Sequence, residues 1–227
     1  MMTKKYIIGS LLILLVVYVE IVHYQRQEAG YYDKLPRCFP TGEIFPYKDA
    51  NGNIKYDSVY HTIADFKLID QNGATFTNQQ LKGKIYVANF FFCRCGTICP
   101  KMTNYILLLQ NEFKNQDQIA FISHTVDPEN DSVAVLKKYE IDHQVNGNQW
   151  HLLTGSRQEL YDLSKRSYYL GVANDSPDEF LHSEKLVLVD SYRIIRGFYD
   201  GTNAVEVEKL KVDIKVLLKE ENSKKLN

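Results

Sequence analysis

The sequence of 227 residues has little charge imbalance and few cysteines, and both shortages narrow the possible functions. Its 27 lysines and arginines nearly match its 28 aspartates and glutamates, so the formal net charge is -1. A nearly neutral chain creates no strong field to attract nucleic-acid phosphates, so we expect no nucleic-acid partner. Four cysteines in this length are too few for a disulfide scaffold. The sequence also lacks internal repeats, which argues against a repeat architecture.

Aromatic residues, by contrast, are plentiful. Sixteen tyrosines and eleven phenylalanines indicate a well-buried core rather than a disordered chain. The length suits one domain together with a membrane anchor.

The first residues predict that anchor. Lys4 and Lys5 precede an apolar run over Tyr6–Val19, which Glu20 interrupts. The run is short for a spanning helix, which needs about 20 residues, but long enough for a signal segment. Because no small-residue cleavage site follows, we predict an uncleaved signal anchor over residues 1–22. The two lysines would keep the N-terminus in the cytoplasm and place the domain on the outer, periplasmic-type side.

The rest of the chain divides into three predicted parts. Residues 23–58 are predicted to be a tether and lead-in, because prolines and glycines interrupt any periodicity there. Residues 59–220 are predicted to be the folded domain, and residues 221–227 a polar tail.

Strand and helix patterns alternate through the predicted domain. The predicted elements are a hairpin around Asn72-Gly73, a strand over Ile85–Phe92, a helix from Pro100 to about Asn115, a strand over Ile119–Val126, a helix capped by Asp131, a strand over Trp150–Thr154, a helix capped by Ser156, a hairpin over Lys185–Tyr199 and a helix over Ala204–Leu218. This order predicts an α/β, thioredoxin-like fold with a central mixed sheet flanked by helices.

Three of the four cysteines lie within seven positions, where the first apolar strand gives way to a helix. Cys95 and Cys99 are four residues apart, so on a helix their Cβ atoms would be roughly 5–6 Å apart. That separation permits a disulfide after a small adjustment, or a shared metal ion. Pro100 suits the first helical position, which would place Cys99 at or next to the N-cap, where the helix dipole favours thiolate. A buried disulfide or inert core cysteines remain the alternative, and Cys93 is interpreted as a neighbouring thiol.

This region resembles the Sco/SenC family of thioredoxin-fold copper-binding proteins, which take part in cytochrome c oxidase assembly. The resemblance rests on Phe92–Met102, with further matches at Val126–Asp131 and Ile195–Gly201, and it covers roughly residues 66–218. The family's two copper thiolates match Cys95 and Cys99, and its copper histidine matches His182. Gly96 departs from the pattern, since the family usually has proline there.

The resemblance implies a membrane-anchored protein that binds copper, as Cu(I) and with an added ligand as Cu(II). It would deliver copper to the cytochrome c oxidase copper site or maintain the thiols of that site. The implied partner is the subunit carrying that site, or another copper or thiol protein. Two thiolates and one imidazole suit the soft Cu(I) ion. The alternative is a thiol–disulfide oxidoreductase that uses Cys95 and Cys99 without copper. The roles of Cys93 and Cys38 stay open.

Overall fold

The computed structural model describes residues 34–49, 51–170 and 183–225. From Leu35 onward the chain forms one compact unit. The predicted anchor at residues 1–22 and the predicted ligand His182 lie outside the described residues. No helix in the described ranges is both long enough and apolar enough to cross a membrane.

Strands and helices occur in nearly the predicted order. The strands are β1 (Pro40–Lys48), β2 (Ile54–Tyr60), β3 (Lys67–Asp70), β4 (Thr75–Thr77), β5 (Ile85–Phe91), β6 (Ile119–Thr125), β7 (Trp150–Thr154), β8 (Lys185–Val189) and β9 (Ile195–Asp200). The helices are α1 (Ile98–Glu112), α2 (Val133–Asp142), α3 (Arg157–Asp162) and α4 (Ala204–Lys225), with a short 3-10 helix at Asn78–Leu81 and a π-helical turn at Leu163–Ser167.

Strands β3 to β9 form one mixed sheet in the order β4-β3-β7-β6-β5-β8-β9. Strands β5, β6 and β7 are parallel neighbours, whereas β8 and β9 continue the sheet antiparallel. The predicted α/β fold with a central mixed sheet is therefore confirmed.

Every residue of the central strands β5 and β6 is buried, because helices cover both faces of the sheet. Side chains alternate between the faces along a strand. Val87 and Phe91 accordingly pack in the core shared with α1 and α4, while Tyr86 and Phe90 pack in the core shared with α3. Packing on both faces fixes the carboxyl end of β5, where the cysteines follow.

Helix α1 begins earlier than predicted, at Ile98, with Thr97 as its N-cap residue. Pro100 therefore occupies the third helical position. Proline is tolerated there because the first four N–H groups of a helix have no acceptor within it. Cys99 lies in the first turn of the helix as its second residue, because the helix begins two positions earlier than predicted.

The prediction that Asp131 caps the next helix is wrong. Ser132 is the N-cap residue of α2, and its hydroxyl accepts a hydrogen bond from the Val135 backbone N–H at 3.4 Å. Asp131 instead turns toward the cysteine loop. At the other end of the chain, α4 continues to Lys225, seven residues beyond its predicted end, and Glu220 and Glu221 are buried in it.

Strands β1 and β2 were not predicted, because the prolines and glycines of this segment indicated an irregular tether. They form a separate antiparallel two-stranded sheet with Phe45 opposite Asp57. The register shifts between Pro40 and Ile44, and Gly42 in that stretch has φ +88°. Four positions along β1 thus face two along β2. A bulge of this kind accommodates the extra residues without ending the strand.

Candidate metal and thiol site

The structure brings Cys95 and Cys99 together at the carboxyl end of β5. Cys95 lies in the loop after the strand, with 8% of its surface exposed, and Cys99 is 4% exposed. The Cys99 backbone and side chain hydrogen-bond the Cys95 sulfur, which also lies 3.7 Å from Thr97 Oγ1. All four cysteines are free thiols. Open α/β sheets place their sites at this end of the strands.

The two thiols differ in acidity. Burial opposes ionisation of Cys95, but hydrogen bonds from Cys99 and Thr97 outweigh it and lower the pKa to about 7, from an ordinary 9.0. Burial raises the pKa of Cys99 to about 12, and the neighbouring Cys95 adds to the rise. The helix start was expected to favour the thiolate of Cys99. At Cys99 the effect of burial on the pKa outweighs that of the helix start. Cys95 is instead the sulfur that ionises near neutral pH.

Cys93 lies in the same loop but in different surroundings. Its backbone N–H donates to the Asp131 carboxylate at 3.1 Å. Burial, followed by the charge of Asp131, raises the pKa of its thiol well above the ordinary value. Cys93 therefore stays protonated while Cys95 ionises.

Two buried carboxylates from the segment after β6 support the loop. Asp131 accepts hydrogen bonds from the Thr125 hydroxyl and the Cys93 backbone, and only 1% of it is exposed. Asp127, equally buried, accepts from Nε and Nη2 of Arg94, both at 2.9 Å. The carboxylates hold the loop at positions 93 and 94, directly before Cys95.

From the sequence, Asp127 can be interpreted as a helix-start or loop-ordering carboxylate, whereas Asp131 was predicted only to cap a helix. Neither was predicted to support the cysteine loop, although a signal for that role was available. The carboxyl ends of neighbouring parallel strands meet at one edge of a sheet, so acidic residues that follow β6 are placed beside a loop that follows β5.

A cleft of about 300 Å3 opens beside this loop. Cys93 and Arg94 line it on the loop side, and Tyr139 and His143 line it on the side of α2. The Tyr139 hydroxyl lies 2.7 Å from Thr103 Oγ1, which ties α2 to the cysteine helix α1. The cleft therefore exposes the loop at Cys93 and Arg94 rather than at Cys95 or Cys99.

The donor set fits a soft metal ion only in part. Within the described ranges, no group of three or more histidine, cysteine, aspartate or glutamate side chains is arranged to hold a metal. The Cys95 and Cys99 sulfurs supply two soft donors, the type that selects Cu(I). A third donor would have to come from elsewhere, and His182 was predicted for that role.

The strand after His182 starts at the thiol end of the sheet. β8 runs antiparallel to β5 with Val187 opposite Ala88, so its first residue, Lys185, lies toward the carboxyl end of β5. The Glu184 carbonyl accepts from the Gly201 N–H at 2.6 Å. A Cβ atom added to Gly201 would lie 3.1 Å from Met102 Cε in α1. Residue 184 is thus close to the cysteine helix.

Gly96, between the two thiols, needs no glycine-specific conformation. Its φ lies outside the left-handed region, and a Cβ atom added there would meet nothing within 4 Å.

A thioredoxin-like sheet with a pair of thiols at the carboxyl ends of its strands places this protein among the thioredoxin-fold proteins. Comparison with known proteins identifies the family. The chain belongs to the SCO1/SenC family, whose model matches residues 55–219. The Sco/SenC resemblance drawn from the sequence is therefore confirmed. A curated relative, the SCO1 protein homolog of Bacillus subtilis, is 28% identical over 186 residues, covering 80% of this chain and 96% of the relative.

Solved structures show the same fold. A SCO1/SenC family lipoprotein from Bacillus anthracis is 30% identical with a TM-score of 0.63, over 70% of this chain and 95% of that one. BsSco, described as a cytochrome c oxidase assembly protein with a disulfide switch, is 29% identical with a TM-score of 0.61, over 70% and 94%. Yeast Sco1 with copper bound is 27% identical with a TM-score of 0.54, over 68% and 89%.

Proposed function

We propose that this protein binds one copper ion through Cys95, Cys99 and His182 and takes part in assembling the copper site of cytochrome c oxidase. The observation that carries the proposal is the pair of thiols at the carboxyl end of β5, with the strand that follows His182 starting at the same end. Copper binding by the related yeast Sco1 and the assembly role described for BsSco support it.

The chemistry of the thiols suits a protein that accepts copper and then releases it. Cys95 ionises near neutral pH, so it offers a thiolate to Cu(I) with little competition from protons. Cys99 has a raised pKa and must lose its proton as the metal binds. Transfer would proceed by ligand exchange, in which thiolates of the partner replace those of this protein one at a time. Cu(II) would bind the same ligands with an added oxygen donor.

The proposal extends to location and partner. Residues 1–22 would anchor the chain in a membrane, with the domain on the outer side, because Lys4 and Lys5 precede the apolar run. The description of the Bacillus anthracis relative as a lipoprotein is consistent with attachment to a membrane. The partner would be the oxidase subunit that carries the copper site, or another copper or thiol protein.

Titration of the anaerobically purified full chain with Cu(I), in competition with a chromophoric chelator, tests the ligand set. We expect one tightly bound ion per chain and a large loss of affinity in Cys95→Ser, Cys99→Ser and His182→Ala. His143→Ala is the matched control, since His143 lines the cleft but is not a proposed ligand. Wild-type affinity in His182→Ala, or lost affinity in His143→Ala, would show that the ligand set is wrong.

A second function, thiol–disulfide exchange without copper, is favoured by the lowered pKa of Cys95 beside a second thiol. It would keep the thiols of the oxidase copper site reduced, and the disulfide switch described for BsSco is consistent with it. A redox titration separates the two functions, because exchange needs both cysteines but not His182. Exchange that persists in His182→Ala while copper binding is lost would support this second role.

A further inference from the structure

The β1–β2 hairpin exposes more large apolar side chains than a small surface element needs. Ile44 is 66% exposed, Ile54 64% and Tyr56 66%. Pairing of Pro46 with Tyr56 places these side chains on one side of the hairpin, because residues two apart on a strand point the same way. We call this surface, formed by Ile44, Pro46, Ile54 and Tyr56, the outer face. A contiguous exposed apolar face marks an interaction surface.

Hydrogen bonds fix the segment that enters β1, here called the base of the hairpin, on the folded domain. Arg196 Nη2 donates to the Leu35 carbonyl at 2.6 Å, and Arg196 Nε donates to the Pro36 carbonyl at 2.9 Å. The Cys38 N–H donates to the Ile195 carbonyl at 2.9 Å. The chain entering β1 therefore has a defined position on the domain.

This base lies at the end of the sheet away from the thiols. Ile195 pairs with Val189, and Val189 pairs with Tyr86 near the start of β5. Cys95 and Cys99 follow the opposite end of β5. A surface that binds the hairpin would leave the thiol end accessible.

The length of chain before the hairpin indicates what covers the outer face. Residues 23–33 separate the predicted anchor from Lys34, the first described residue. Even fully extended, that stretch reaches roughly 40 Å, at about 3.3–3.6 Å per residue. With residues 1–22 as the membrane anchor of the proposed function, the base of the hairpin would lie within roughly 40 Å of the bilayer.

The composition of the hairpin also suits a lipid interface. Tyrosine is enriched where a membrane meets water, and lysine can place its stem on apolar surface with its charge in water. The positive and negative charges of the hairpin nearly balance. This argues against electrostatic attraction to anionic lipid as the main contribution to binding. The charged residues are Glu43, Lys48, Asp49, Lys55 and Asp57. Binding through apolar contact would depend little on salt.

We propose that the outer face of the hairpin lies in the headgroup region of the bilayer that carries the anchor. This contact would hold the domain with its thiol end directed away from the membrane, toward a client copper site. The inference rests on the membrane anchor of the proposed function, and it is independent of copper binding.

The test uses the full chain in phosphatidylcholine vesicles with tryptophan as a reporter. Tyr56→Trp places the reporter on the outer face, and Leu108→Trp is the matched control, since Leu108 in α1 is 63% exposed. The native Trp150 is 1% exposed and gives the same background in both variants. We expect Tyr56→Trp emission to shift to shorter wavelength and to be quenched by brominated lipid, at low and high salt alike. Leu108→Trp emission should remain typical of a tryptophan in water.

Vesicle flotation distinguishes the possible failures. If the full chain floats with the vesicles but Tyr56→Trp emission is not quenched, the hairpin contact is disproved, whereas the membrane anchor is supported. A protein partner would then be the occupant of the outer face. If the full chain does not float, the anchor and the hairpin contact both fail, whereas the copper proposal is unaffected.

Discussion

The two ends of the central sheet both carry buried polar clusters, but the clusters are built differently. At the thiol end, Asp131 and Asp127 hold the loop by accepting from backbone and from Arg94, whose side chain is 58% exposed. At the other end, Arg196 is 1% exposed and pairs with Asp190 and Glu220. The first cluster positions a loop with ionisable sulfur, and the second joins distant parts of the chain.

This contrast shows how one fold separates reactivity from stability. A buried charge is stable only when it is fully paired, and the Arg196 cluster meets that condition with two carboxylates and two carbonyls. It links the entry to the hairpin, strand β9 and helix α4. The thiol end contains groups that can change protonation state, which a metal or redox site requires.

The largest expected difference between the two ends is in thiol ionisation. In metal-free protein, we expect a thiolate transition near pH 7 from Cys95, while burial keeps the pKa of Cys38, at the other end, above its ordinary value. Because the folded pKa of Cys95 is lowered from 9.0, its ionisation stabilises the fold fully above pH 9, and this contribution is lost as pH falls through 7. Thiolate ultraviolet absorbance as a function of pH measures the transition.

Cysteine variants assign that transition. Cys95→Ser should remove it, and Cys38→Ser should leave it unchanged. A transition near pH 7 that persists in Cys95→Ser would contradict the assignment of the reactive thiol.

Arg196→Met is expected to have the largest effect on stability. The substitution removes the buried guanidinium that pairs with the carboxylates of Asp190 and Glu220, which costs about 3–5 kcal/mol in the free energy of unfolding. Denaturant titration measures the loss. The matched control is Arg37→Met, because the Arg37–Asp57 pair is partly exposed and is expected to contribute at most about 1 kcal/mol. Equal losses in the two variants would show that burial of Arg196 does not matter.

Asp131→Asn is expected to have a smaller effect, confined to the thiol end. It weakens the hydrogen bonds from Thr125 and Cys93, at a cost of about 1–3 kcal/mol in the free energy of unfolding. It also removes a negative charge that raises the pKa of Cys99, so that pKa should fall from about 12. Denaturation and the alkaline thiolate transition measure the two effects.

Asp142→Asn provides the control for this variant. Asp142 also lines the cleft, but it is 49% exposed in its ion pair with Lys138. Neither stability nor the Cys99 transition should change appreciably. If Asp131→Asn behaves in the same way, the carboxylate does not support the loop.

Local sequence patterns predicted most of the fold. The continuous apolar runs correctly predicted β5 and β6, because strands covered on both faces need no alternation of apolar and polar residues. Asn72-Gly73 correctly predicted the β3–β4 hairpin, and Ser156 was correctly predicted as the N-cap residue of α3. The β1–β2 hairpin was missed because Pro40 and Gly42 indicate irregular chain, and only pairing with a second strand makes them compatible with a strand.

The proximity of the two thiols could be predicted from the sequence. The spacing of Cys95 and Cys99, at a strand-to-helix junction, is a local property, and local geometry brings the two sulfurs together. Membership of the SCO1/SenC family, inferred from the same motif, was confirmed.

Only the tertiary structure decided which sulfur ionises and what holds the loop. The acidity of Cys95 and Cys99 depends on burial and hydrogen bonding, which no spacing rule supplies. The role of Asp131 depends on the parallel pairing of β5 with β6, which brings a residue 38 positions away to the Cys93 backbone. The buried pairing of Arg196 likewise depends on chain segments that meet only when the domain folds.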